Sequence, residues 1–116
     1  MPYLVKARYK AGNDDLRDAH IAAHVAYLDA SIGLILAAGG LVSDDNRRSD
    51  GLLYILATEE RAEAEAFIAN DPFSKVGLIG SVEIARWRKS YFDGRRLLGD
   101  PLATSAQRIR TEGPPS

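Results

Sequence analysis

Asn70-Asp71-Pro72-Phe73, followed by Lys75-Val76-Gly77-Leu78 and Ser81-Val82-Glu83-Ile84, is the stretch that decides how this 116-residue chain reads. An aspartate directly before a proline is the pattern of a helix N-cap with proline at the first helical position, where the missing N–H is not needed. A short turn or helix is therefore expected after Asp71. From Leu78 to Lys89 the pattern changes to alternation, with Val82 and Ile84 on one side and Ser81, Glu83 and Trp87 on the other. A period of two predicts a last, long strand.

Reading backwards from Asp71, Thr58 is expected to cap a helix with Glu59 and Glu60 in its first turn, and Ala62, Ala66, Ala69 and Phe67 as its packing side. Leu52 to Ala57 is apolar on both faces and reads as a central strand. The polar connection Ser43 to Asp50, closed by Gly51, joins it to Leu34–Val42 as a hairpin with a longish loop. Small residues at Ala37-Ala38-Gly39-Gly40 permit close approach by a backbone, a side chain or a ligand. Ile21, Val25, Leu28 and Ile32 recur at helical spacing, so an amphipathic helix is expected from the Gly12-Asn13-Asp14 turn to Gly33. At the start, Tyr3, Val5, Ala7 and Tyr9 alternate with Leu4, Lys6, Arg8 and Lys10, which predicts a half-buried strand. The order β-α-β-β-α-β predicts an α+β, ferredoxin-like domain: a four-stranded antiparallel sheet with two helices on one face. The apolar content of the other face predicts a homodimer through the sheet.

Composition narrows the function classes. A net charge of −1 and a pI near 6.1 leave no electrostatic footprint for nucleic acid or an anionic membrane. Arg86, Arg88, Lys89, Arg95 and Arg96 cluster late, and read as a solvated edge and tail. The absence of cysteine excludes disulfides, thiolate metal sites and a cysteine nucleophile, and suits a reducing cytoplasm. The alternating Met1–Lys10 segment is not a signal peptide, and no run is long enough to span a membrane. From Asp93 the composition shifts towards Gly, Arg and Pro, which divides the chain into a domain over 1–92 and an extended arm over 93–116.

The Asp71-Pro72-Phe73 motif, its spacing to Val82-Glu83-Ile84 and Trp87, and His24-Val25-Ala26-Tyr27-Leu28 fifteen residues before Gly39 together resemble the YciI-like (YCII-related) domain family. The resemblance covers roughly residues 2 to 88. It implies the ferredoxin-like fold of the dimeric α+β barrel type, and it implies that His24 and Asp71 form an active-site pair. Two departures stand out. The family often has arginine three residues before the histidine, where this chain has Ile21; Arg17 lies one helical turn further back. The family usually has Gly-Pro after its second strand, where this chain has Gly39-Gly40. His20 is an alternative to His24, because Arg17-Asp18-Ala19-His20 reproduces the local Arg-x-x-His pattern; the distance to Gly39 favours His24.

A histidine beside a carboxylate suits proton transfer near neutral pH, because imidazole titrates in that range and the carboxylate orients it. Isomerisation, elimination of a leaving group and lactone chemistry on a small cyclic substrate all use such a pair. Arg17, Tyr27 and Ser81 are the candidate substrate-binding residues. Each has a plainer reading: Asp71 as a cap alone, His24 as a satisfied histidine on a half-buried helix, Tyr27 as packing. His20 and His24 stand four apart on one helix face, but no third ligand accompanies them, so no metal is expected. No phosphate loop, dinucleotide fingerprint or Gly-x-Ser-x-Gly occurs, and no cofactor is expected. Two classes of function follow: a small-molecule enzyme using His24 and Asp71, or a non-catalytic dimer that binds a small molecule, regulates or assembles.

Overall fold

The computed structural model describes residues 1–98. Its elements are β1 (Tyr3–Tyr9), α1 (Asp14–Ala30), β2 (Ile35–Val42), β3 (Ser49–Leu56), α2 (Arg61–Ala69), the one-turn α3 (Pro72–Lys75) and β4 (Ile79–Arg86). A further two-strand hairpin, β5 (Tyr91–Phe92) and β6 (Arg95–Arg96), follows. β1 to β4 form one sheet in the order β2-β3-β1-β4, with every neighbouring pair antiparallel. This is the ferredoxin-like α+β arrangement that the element order predicts. β3, apolar on both faces, is indeed an interior strand of the sheet.

Alternation sets the two faces. Tyr3, Val5 and Ala7 of β1 sit in the core with Leu52, Tyr54 and Leu56 of β3, under Ala64, Phe67, Ile68, Phe73 and Leu78 from the helical side. The intervening residues form the opposite face in rungs across the strands: Ala37, Ile55, Leu4 and Ala85, then Gly39, Leu53, Lys6 and Glu83. Gly51 is required where β3 passes β1, because a Cβ there would lie 2.1 Å from the Ala7 carbonyl oxygen. Gly39, by contrast, has open space around it.

Both long helices depart from the expected faces. α1 ends at Ala30, short of Gly33, with Ser31 as its C-cap. Its buried residue is His24, with Leu16, Tyr27 and Leu28 packed against the core, while Ile21, Val25 and Ile32 are exposed. At 100° per residue the apolar stripe is turned about a quarter of the way round from the packing face, sharing only Leu28 with it. α2 buries Ala64, Phe67 and Ile68, whereas Ala62, Ala66 and Ala69 are exposed. Alanine carries too little area to pin a helix face when phenylalanine and isoleucine compete for it. Thr58 does not cap α2 directly; its hydroxyl accepts from the Glu60 amide (3.0 Å) and bonds the Glu63 carboxylate, and the helix begins at Arg61. β4 runs over Ile79–Arg86, shorter than the expected Leu78–Lys89, so Trp87 lies outside the strand that was expected to carry it.

Met1–Arg86 forms one compact unit, and a second begins at Trp87. Within the second, Asp93 and Gly94 take positive φ (53° and 72°) at the turn of the β5–β6 hairpin, a conformation that Asp-Gly supplies at little strain. Phe92 meets Trp87 with ring centroids 6.2 Å apart, and Lys89 lies over the Phe92 ring. Of the expected arm over 93–116, residues 93–98 belong to this segment; the remainder lies outside the described residues.

Candidate active site

Asp71 is the N-cap of α3, and its position follows from local chemistry. Pro72 fixes the first helical φ, and the Asp71 Oδ1 accepts from the Phe73 amide at 2.8 Å. That cap leaves the carboxylate fully buried, where an unpaired charge is costly, so its remaining capacity must be met by other donors. His24, reaching in from the middle of α1, places Nδ1 2.9 Å from Oδ1. The Tyr54 hydroxyl, from β3, lies 3.3 Å from Oδ2. Helix, strand and cap therefore converge on one carboxylate through Phe73, His24 and Tyr54.

Phe73 has a second role. Its ring stacks on the His24 imidazole, with centroids 4.0 Å apart and planes 7° from parallel. Tyr9 then meets the Phe73 ring edge-on at 5.8 Å. The Asp-Pro-Phe motif thus does three things within three residues: it orients His24 by a hydrogen bond, fixes its plane by a ring face, and caps the turn that holds both. Asp71 is both a cap and a partner to the histidine.

The network sets the tautomer. Oδ1 already takes the Phe73 N–H, so the bond to His24 is one in which Nδ1–H donates and Oδ1 accepts. Nε2 is then the nitrogen with a free lone pair. It has no protein partner among the described residues, and the His24 side chain as a whole keeps 4% of its surface exposed. An oriented imidazole with its second nitrogen open is the arrangement a general base requires.

Three tyrosines feel the Asp71 charge, and each phenol is pushed above its ordinary value of 10.0. Tyr54 is raised most strongly, first by burial and then by the Asp71 charge and its hydrogen bond to Asp71. Burial is also the main cause for Tyr9, where Asp71 adds and Arg17 opposes, and for Tyr27, where Asp71 adds. They therefore present neutral hydroxyls around the pair.

The expected site residues separate. His24 and Asp71 meet. His20, half-buried one turn earlier on α1, takes no part in the carboxylate network. Tyr27 uses its hydroxyl on the Phe67 carbonyl (2.8 Å) and its ring on Phe67 (centroids 5.4 Å apart). Ser81 pairs across the sheet with Arg8, on the face turned away from the helices and hence from His24. Arg17 is partly exposed and binds Asp18 through Nη2 at 3.0 Å. Among the described residues, no group of three or more His, Cys, Asp or Glu side chains is placed to hold a metal. Sequence reasoning missed Tyr54 and the stacking role of Phe73. The signal for Tyr54 was available, since it is the one polar tip in the apolar run Leu52–Leu56.

Comparison with known proteins places this architecture. The model of the YCII-related domain matches residues 1–88. The chain belongs to that family. This YCII-related protein is also similar to a solved structure, the 5-chloro-2-hydroxyhydroquinone dehydrochlorinase TftG from Burkholderia phenoliruptrix AC1100, in complex with 2,5-dihydroxybenzoquinone. The two share 29% sequence identity and superpose with a TM-score of 0.70, over 76% of this chain and 94% of that one. A second solved structure, At3g17210 from Arabidopsis thaliana, aligns at 16% identity and a TM-score of 0.42, over 80% of this chain and 99% of that one. No curated protein matches the chain. No helix among the described residues of this YCII-related protein is long and apolar enough to cross a membrane.

Proposed function

We propose that this YCII-related protein is a small-molecule enzyme in which His24 transfers a proton and Asp71 orients it. The observation that carries the reading is the buried 2.9 Å bond between His24 Nδ1 and Asp71 Oδ1, with Nε2 left open. In a small cyclic enol or phenol, Nε2 takes a proton from ring carbon or hydroxyl, and the electron pair left behind shifts the double bond or expels a leaving group. Asp71 stabilises the imidazolium formed, and the proton returns from Nε2 to product or solvent. Isomerisation, elimination and lactone chemistry share this step. The likeness to a dehydrochlorinase supports elimination as the first of these to try.

Arg17 and Tyr9 remain as groups able to meet a substrate near the pair; Tyr27 and Ser81 fit that role less well in their observed positions. The protein acts as a homodimer in the cytoplasm on this reading, its sheet face bearing Leu4, Leu53 and Ile55 turned towards a second copy. A non-catalytic binding dimer is the competing reading.

The test is direct. Full-length protein is screened against halogenated hydroquinones, cyclic enols and lactones, and turnover is compared in wild type, His24→Asn and Asp71→Asn. Loss of one acid/base group lowers the rate by about 10²–10⁴-fold. In parallel, ¹⁵N shifts of the His24 ring should report the Nδ1–H form in wild type and lose that preference in Asp71→Asn. A His24→Asn variant that turns substrate over at the wild-type rate removes the proposal. Saturable binding with no turnover favours the binding dimer.

A further inference from the structure

A cavity of about 440 Å³ lies at the end of the sheet where β1 leaves it. It is of ordinary small-ligand size. The β1–α1 turn, the start of α1, the entry to β3 and Leu78 enclose it, and neither His24 nor Asp71 lines it. Its charged lining is Arg8, Lys10, Arg17 and Arg48 against Asp14 and Asp50. Arg48 is already committed to Asp50, through Nε at 2.7 Å and Nη2 at 3.2 Å. Arg8 and Lys10 have no ion-pair partner among the described residues.

Arg17 is the unusual member. Its Nε is enclosed by protein yet has no acceptor. An N–H left in that state is unfavourable. Among the described residues the guanidinium's one charge partner is its neighbour Asp18, which is largely exposed, and such a pair holds a side chain weakly. Nε itself offers almost no surface, so a ligand reaches the fork through its Nη edge.

We propose that this cavity binds a small monoanionic carboxylate, with Arg17 as its bidentate partner and Arg8 and Lys10 supplying the field. A planar carboxylate matches the outer Nη1/Nη2 edge of a guanidinium with two parallel bonds. Asp14 and Asp50 at the rim count against a multiply charged phosphate. Tyr9 adds an apolar ring wall, and that ring is one aromatic layer, Phe73, away from His24. The site shares Arg17 and Tyr9 with the substrate-binding groups proposed above but includes neither His24 nor Asp71, so binding here does not depend on that pair being catalytic.

The experiment is a titration of the full chain with sodium benzoate at constant ionic strength, read by ¹H–¹⁵N spectra that include the arginine Nε–H signals. Benzoate should shift the Arg17 Nε–H and the amides of Ala11–Asp14 saturably, and neutral benzamide should not. Arg17→Lys keeps the charge and loses the fork, so its affinity should fall about tenfold or more. Arg8→Gln should weaken binding by a smaller factor. His24→Asn should bind benzoate as the wild type does, which separates this site from the proposed chemistry. Shifts equal for benzoate and benzamide, no shift at Arg17 or its neighbours, or wild-type affinity in Arg17→Lys would each overturn the assignment.

Discussion

α1 and α2 pack on the same face of one sheet, yet they bury opposite kinds of residue. α2 turns Ala64, Phe67 and Ile68 inward and leaves charged residues and small alanines outside. α1 buries His24 and leaves Ile21 and Val25 exposed, as is Ile32 just past its end. Burial of a polar ring is unfavourable unless its nitrogens are satisfied, and apolar candidates stood one residue away on either side at Ala23 and Val25. The chain holds His24 inside through a carboxylate that is itself fully buried. α2 is thus a packing element, while α1 is oriented by a polar network.

The strongest way to break that contrast is to remove the anchor. Asp71→Ala deletes the α3 cap and strands the Phe73 amide, the Tyr54 hydroxyl and the His24 Nδ1–H. Breaking a buried pair of this kind costs about 3–5 kcal/mol, to be read from urea unfolding. A loss below about 1 kcal/mol would mean that α1 is held by packing after all. Next in size is the control on the other helix. Ile68→Ala should cost about 2–4 kcal/mol as a cavity in the core, yet leave the ¹⁵N signature of the His24 tautomer unchanged. If it disturbs the tautomer, the two helices are not separable in the way described.

Tyr54→Phe sharpens the comparison at lower amplitude. It keeps the ring against Phe67, centroids 5.1 Å apart, and removes only the hydroxyl at Asp71 Oδ2. At 3.3 Å that bond is long, and about 0.5–1.5 kcal/mol is the expected loss near neutral pH. The alkaline side gives a second reading. Tyr54 is raised above 10.0 in the folded protein, so the fold retains a proton that the unfolded chain gives up there. Its contribution is fully present below the unfolded value and is lost as pH climbs through the folded one. Stability should therefore decline above pH 10 in wild type and decline less steeply in Tyr54→Phe. Equal slopes would remove Tyr54 from the network.

What could be read from the sequence divides along the same line. The strands were legible, because alternation in β1 and the doubly apolar β3 are physical consequences of one face or two being covered. Asp71 as a cap was legible from Asp-Pro alone, and its pairing with His24 from the family resemblance. The packing faces of both helices were not. On α1 the strongest apolar period runs through Ile21, Val25 and Ile32, which the structure exposes, because satisfying Asp71 outweighs burying that stripe. On α2 four alanines blur the period, and the two large side chains decide it. Tyr54 stood out as the polar tip of its apolar run, but its partner did not, because nothing local links β3 to α3; only the tertiary fold brings them together.

The smallest expected effect tests the outward face of α1. Val25 is 46% exposed, one residue from His24 in sequence but on the other side of the helix. Valine and serine have similar helix propensities, and an exposed substitution without a partner changes stability by about 0.5 kcal/mol or less. Val25→Ser should therefore unfold at nearly the wild-type urea midpoint at any protein concentration. A cost above about 1 kcal/mol, growing as the protein is concentrated, would show that Ile21, Val25 and Ile32 are covered in solution by another chain. The stripe would then have been a sound sequence signal for burial after all, with a partner and not the sheet as its cover, and α1 would be amphipathic on both sides: polar network inward, apolar contact outward.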